Sequence, residues 1–302
     1  MGKTDKIVIS ASRRTDIPAF YINWFMGKIE KGFFHVTNPY NRVTKKIDVS
    51  CSRVDSIVFW SKNFRPFLES GAGTKLIKKG YNLFFNFTVN SRSKLLEPKI
   101  PSLDERFAQM EQLCDEFTPA AIHWRFDPIC FYKDQNNVFG NNLSDFALIA
   151  EKAEQCGITR CITSFADDYA KIRKRVAFLQ QKGEKVPTLI DPGKEKKIKV
   201  IKKMEQLLNK KNISLFTCCE KELFSMLPEE TTVSESSCIP GKLLQKLFKG
   251  NPVTKRDYGQ RSKMGCRCTQ SVDIGSYDIH PCFHNCLFCY ANPEIDSRVN
   301  TP

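Results

Sequence analysis

Ile7-Val-Ile-Ser-Ala-Ser-Arg-Arg-Thr-Asp16 is the stretch that decides the fold: a short β-rich apolar run that ends abruptly in Arg13, Arg14 and Asp16. The same pattern returns five times. Ser56–Trp60 ends in Ser61-Lys-Asn63, Tyr81–Thr88 in Val89-Asn-Ser-Arg92, and Ala121–Phe126 in Asp127-Pro128. Ile158–Ser164 ends in Phe165-Ala-Asp-Asp168, and Ile213–Thr217 in Cys218-Cys-Glu220. Helical stretches lie between. Residues 102–117 open with Ser102 and carry Glu105 three positions on, the capping-box pattern. Residues 144–156 stop before Gly157, and 194–210 place Ile198, Ile201, Met204, Leu207 and Leu208 at helical spacing. Strand alternating with helix argues an α/β fold with a parallel sheet, closed or partly closed into a TIM-like (β/α) barrel over residues 1–228. In such barrels the loops after the strands build the site, and the polar clusters fall there. Taken one at a time, each cluster also reads as ordinary strand-terminating turn residues.

After residue 228 the alternation breaks. Residues 229–302 form a Cys-rich C-terminal extension, rich in Ser, Lys and Gly up to residue 270, and Ser271–Gly275 predicts one more short strand. The extension is expected to fold back on the barrel mouth. The 302 residues carry 47 Lys+Arg against 33 Asp+Glu, and a hydrophobic content of 41% permits a large core. No apolar run is long enough for a transmembrane helix, and the N-terminus lacks a signal-peptide core, so a soluble cytoplasmic protein with no membrane partner is expected. Residues 171–211 carry a net +10 and residues 242–267 a net +7. The first patch reads as the solvated outer face of helices. The second lies beside cysteines and suits a phosphate-bearing substrate, and nucleic acid stays open as a partner.

Thirteen cysteines, an odd number in a long Lys-rich chain, point to metal or catalysis rather than a disulfide scaffold. In Cys282-Phe-His-Asn-Cys286-Leu-Phe-Cys289 three thiolates can ligate three irons of a [4Fe–4S] cluster and leave the fourth open. The spacing resembles that of radical S-adenosylmethionine (SAM) enzymes, in which the open iron chelates SAM and reductive cleavage yields a 5′-deoxyadenosyl radical. Zinc is the rival, with His280 and His284 within reach as ligands. His284 is otherwise expected to donate to a sulfur or to be exposed. Cys219, Cys238, Cys266 and Cys268, chosen from five with Cys218, form a candidate second site for another [4Fe–4S] cluster or Zn; buried free thiols are the alternative. Cys51, Cys114, Cys130, Cys156 and Cys161 read as packing residues.

Ile9–Tyr21, Val58–Asn63, Trp124–Pro128, Cys266-Arg-Cys268, Ser271–Tyr277 and the triad through Asn292 together resemble domain-of-unknown-function family 1848, over residues 7 to 292. The resemblance implies a radical-SAM-like enzyme with Cys282, Cys286 and Cys289 as cluster ligands and the Cys219, Cys238, Cys266 and Cys268 set as a second site. The Cys-Tyr ending of the triad also resembles spore photoproduct lyase, which keeps nucleic-acid repair or modification as the alternative. Most radical SAM enzymes carry the triad near the N-terminus, after the first strand; here a circularly permuted barrel, its last strand in the place of the usual first, would reconcile the order. Their Gly-Gly-Glu motif is not evident.

Strand-end position makes Arg13, Arg14, Asp16, Arg125 and Asp127 the candidate catalytic groups. Lys62, Asn63, Ser164 and Asp167, with Phe288 packing on adenine or the cluster, are the candidate cofactor contacts. Arginine forks suit an anionic group. Radical chemistry further implies SAM, a small-molecule substrate and a reductase, flavodoxin or ferredoxin as electron donor. Two further classes compete: a non-radical zinc or iron–sulfur nucleic-acid-binding protein, and a methyl or aminocarboxypropyl transferase that uses the cluster to orient SAM.

Overall fold

In the computed structural model, which describes residues 5–38 and 41–291, the six alternating strands and the short strand expected before the triad form one sheet with one more. They are β1 (Ile7–Ala11), β2 (Val54–Ser61), β3 (Asn82–Thr88), β4 (Ile122–Ile129), β5 (Arg160–Phe165), β6 (Ser214–Thr217), β7 (Ser234–Glu235) and β8 (Val272–Asp273). All pair in parallel, in the order β7-β6-β5-β4-β3-β2-β1-β8. Successive strands are neighbours from β1 to β7, and the last strand is set beside the first, with Ile9 opposite Val272 and Ser10 opposite Asp273. Among the described residues β7 and β8 do not pair with each other, so no closed barrel is seen. Both come from beyond residue 228, so the extension supplies the two edges of the sheet.

Alternate side chains along a strand point to opposite faces. One face carries Ile57, Phe59, Phe85, Phe87 and Trp124, and packs on helices Leu103–Phe117, Phe146–Gln155 and Lys194–Asn209. The first of these has the expected capping box: Ser102 Oγ accepts from Glu105 N, and Glu105 accepts from Ser102 N. Phe59, Phe64, Phe67 and Phe85 form a ring cluster with centroids 4.9–5.9 Å apart, each pair adding about 0.5–1.5 kcal/mol beyond area burial. The other face carries Val8, Val58, Phe84 and Ile162 and is covered by helix Gly241–Phe248 through Leu244, together with Cys218, Cys219, Cys238, Cys266 and Cys268. Thus a helix lies in the stretch where the alternation of the sequence breaks. A third cluster packs helix Ala170–Gln181 against Leu96, Ile100, Leu287 and Phe288 and seats the triad loop.

Two small sheets were not evident in the sequence. Phe33–Thr37 pairs with Thr44–Asp48, and Phe131–Lys133 lies between Phe139–Asn141 and Thr188–Ile190. Among the described residues no helix is long and apolar enough to cross a membrane.

Candidate functional site

At the C-terminal ends of the strands lies a cavity of about 280 Å³, and both cysteine groups line it. The triad loop is held from several sides. Asn285, at φ 55°, turns the chain in the left-handed region that Asn tolerates, between Cys282 and Cys286. Leu287 N donates to Leu96 O at 2.8 Å, and Arg175 Nη1 donates to Leu287 O and Cys289 O at 2.9 and 3.0 Å. Tyr21 Oη donates to Pro281 O at 2.6 Å, and Tyr290 Oη to Arg13 O at 3.2 Å. Cys286 is buried, while Cys282 and Cys289 are partly open. Burial raises the Cys286 and Cys282 thiols well above the usual range.

His284 is neither exposed nor turned to a sulfur. It is buried, with Nε2 2.7 Å from Asp16 Oδ2 and its ring 4.6 Å from that of Phe20. Asp16 is a junction: it also accepts from Ser61 Oγ and Lys62 N at 2.9 Å and caps helix Ile17–Phe20 through Ala19 N at 3.0 Å. Lys62 Nζ reaches Glu97 Oε1 at 2.5 Å and stands 5.2 Å from the Phe288 ring centroid. Burial alone would lower the Lys62 pKa; Glu97 and Cys286 outweigh it and hold the ammonium charged.

The second group assembles from separate segments. Cys218 and Cys219 follow β6, Cys238 follows β7, and Cys266 and Cys268 come from the loop before β8. The Cys218 Sγ is 3.5 Å from Cys238 Sγ and 3.9 Å from Cys219 Sγ. Cys238 in turn neighbours Cys268, and Cys266 neighbours both Cys219 and Cys268, so the five sulfurs close a ring. Cys218, omitted from the expected set, is part of it. Hydrogen bonds from Cys238 and Cys266 lower the Cys268 pKa against burial, Arg13 adds to this, and Ile239 N donates to its sulfur at 3.4 Å. The Cys218 thiol is raised to about 12 by its bond with Cys219 and then by burial. In Cys219 and Cys266 one thiol neighbour lowers the value, and the other neighbour together with burial outweighs it and raises each to about 12. Arg125 Nη1 donates to Cys238 Sγ at 2.9 Å, and Arg125 Nη2 to Asp127 Oδ2 at 2.5 Å. Ser164 Oγ donates to the other Asp127 oxygen. Although burial opposes it, Arg125 holds Asp127 below the usual carboxylate range.

Arg13, Asp16, Lys62, Arg125, Asp127, Ser164, Asp167 and Phe288 line the cavity with the cysteines. Arg14 and Asn63 do not: Arg14 Nη1 donates to Gly275 O at 3.0 Å, and Asn63 Oδ1 accepts from Gln109 Nε2 at 3.0 Å. A Cβ on Gly275 would run into the Ser12 side chain, so the close approach of β8 to β1 requires glycine there. Sequence reasoning missed Glu97, Glu220, Arg261 and the role of Asp273. Asp273 accepts from Ser10 Oγ, Ser12 Oγ and Arg13 N at 2.6–2.8 Å and so welds β8 to β1. Arg261 Nη1 pairs with Asp167 Oδ2 at 2.6 Å. Burial lifts Glu220 to about 7, while Phe165 N donates to it at 2.7 Å. Cys51, read as a packing residue, is exposed, and Asn292 lies outside the described residues.

Among the described residues no group of three or more His, Cys, Asp or Glu side chains is already arranged as a metal site. The donor chemistry nevertheless suits thiophilic metal: eight cysteines border one cavity, and Lys62, Arg175, Arg125 and Arg13 stand ready to offset thiolate charge. The model of the family "Domain of unknown function (DUF1848)" matches residues 8–291, and the chain belongs to that family. No curated protein matches it.

Proposed function

We propose that this protein is a radical-SAM-type iron–sulfur enzyme on a circularly permuted, open (β/α) barrel. The observation that carries this is the place of β8. A Cys-x3-Cys-x2-Cys loop that follows a strand beside β1 sits where the triad of an unpermuted barrel would follow its first strand. Cys282, Cys286 and Cys289 would hold the cluster, which when bound and reduced supplies the electron that cleaves SAM.

The chain's own residues have three tasks. Asp16 and His284 fix the triad loop against the β1 and β2 ends. Lys62 and Arg175 place positive charge beside the thiolates, and Arg175 also holds the loop carbonyls. The cavity wall then supplies matched charge: Arg125 with Asp127, and Arg261 with Asp167. A lining of ion pairs supports a zwitterion such as SAM over a polyanion, because each end of the ligand finds an opposite charge. Arg13, 5.5 Å from the Trp60 ring centroid, is a further cation for an anionic substrate group.

For the five-thiol ring we favour a single zinc ion. Four sulfurs about 2.3 Å from one tetrahedral ion lie roughly 3.8 Å apart, close to the 3.5 and 3.9 Å separations around Cys218. Sulfurs on different irons of a cubane stand farther apart.

Anaerobically purified protein should contain about four irons with matching sulfide and one zinc. After reduction it should cleave SAM to 5′-deoxyadenosine, and Cys286→Ala should lower that cleavage at least about 100-fold while leaving the far-UV spectrum unchanged. Methylthioadenosine as the product would move the protein to the transferase class. Zinc without sulfide, or no cleavage by the reconstituted protein, would overturn the radical assignment.

A further inference from the structure

A second cavity, of about 440 Å³, opens beneath β4 to β7, and its lining shares no residue with the first. It is framed by His123 of β4, Arg160 at the start of β5, the first residues of helix Gly241–Phe248, and Arg256 and Arg267 of the following loop. Lys242, Arg256 and Arg267 of the basic stretch 242–267 therefore meet Arg160 at one hollow.

The balance of charge there is unfilled. Arg267 is paired with Glu235. Arg160, Lys242 and Arg256 also line the cavity, and no carboxylate pairs with them among the described residues. Burial pulls the Arg160 pKa down, as expected for a cation without a counter-charge. Arg256 spends Nη2 on Cys266 O at 2.9 Å, yet its Nε is buried without a partner. His123 is 2% exposed, and neither ring nitrogen has a partner. Its ring packs edge-on to Phe84, 4.6 Å between centroids. A buried polar group with no partner costs about 1–3 kcal/mol, and an imidazole that faces a cavity is relieved by whatever fills it. The N-terminus of helix Gly241–Phe248 adds its dipole from the same side.

We propose that this hollow is a binding site for a phosphate group, free or as a phosphomonoester, held by Arg160, Lys242 and Arg256 with His123 as a hydrogen-bond partner from the floor. The site is independent of the radical assignment. It lies across the five-thiol loop from the first cavity, linked to it through Arg256 and the Cys266 carbonyl.

The test is calorimetric titration of the full chain, purified anaerobically, with inorganic phosphate at low ionic strength. One phosphate per chain, saturating below about 10 mM, is expected. Lys242→Gln, at an exposed position that does not threaten folding, and Arg256→Gln should each weaken it at least about 10-fold. Lys196→Gln, on the basic helix Lys194–Asn209, should leave it unchanged. Ribose 5-phosphate binding more tightly than phosphate would point to a phosphomonoester as the occupant, and the reverse to the free ion. No 1:1 binding overturns the proposal, as does equal weakening by Lys196→Gln, which would mean diffuse attraction.

Discussion

The two cysteine groups border one cavity and are built in opposite ways. The triad comes from eight consecutive residues in one loop, tied down by hydrogen bonds to its carbonyls and by the His284–Asp16 contact. The five-thiol ring is drawn from three separate segments, each anchored in a different part of the sheet's inner face, and its sulfurs touch. A local loop can lose a ligand and keep its shape, because its supports are elsewhere. In the ring the sulfurs are themselves the supports. On the proposed reading, the difference separates chemistry from architecture.

The sharpest way to break this contrast is thermal unfolding of matched variants. If the ring holds the proposed zinc, Cys238→Ala should cost several kcal/mol, because ion binding there would be folding energy, and lower Tm by about 10 °C. Cys286→Ala should stay within about 3 °C of wild type; equal losses would end the distinction. Next in size, Arg125→Gln leaves the half-buried Asp127 without its cation and removes the donor to Cys238, for about 3 kcal/mol in urea denaturation. Asp16→Asn weakens a junction of four hydrogen bonds. It should cost about 2 kcal/mol and speed iron loss during dialysis, whereas a purely structural role would leave iron retention untouched.

The smallest effect lies outside both groups and serves as the baseline. The Arg92 side chain and backbone N–H hold Asp145 below the usual carboxylate range. A lowered folded pKa stabilises above the ordinary carboxylate value near ~3.9 and is lost as pH falls through the folded pKa. Asp145→Asn should therefore cost about 0.5–1 kcal/mol at pH 7, modest because Arg92 is largely exposed, and the gap from wild type should close as pH falls through the lowered Asp145 pKa. A gap that widened in acid would refute this sign.

Much of the frame is legible because strand and helix periods are local properties. The six strands, the Ser102 capping box and the short strand before the triad all follow from neighbours in sequence. Cys282, Cys286 and Cys289 are legible for the same reason. Long-range partners are not. Nothing near His284 announces Asp16, 268 residues away. Glu97 sits among turn residues, and its value appears only when Lys62 and Cys286 converge on it. Cys218 beside Cys219 gives no sign of which thiol faces inward. Helix Gly241–Phe248 was hidden by its lysines, although Leu243, Leu244, Leu247 and Phe248 supply its apolar side.

The pairing of β1 with β8 has a consequence for the order of synthesis. Ser10 and Asp273 are 263 residues apart. At roughly 5–20 residues per second a ribosome needs about 13 to 53 s to go from one to the other. Throughout that interval the nascent chain carries β1 with one edge unpartnered, and the triad has not yet been translated. The last strand to be made both seals that edge and delivers the three cysteines, so whatever the triad holds can bind to a growing chain only once its frame is nearly complete.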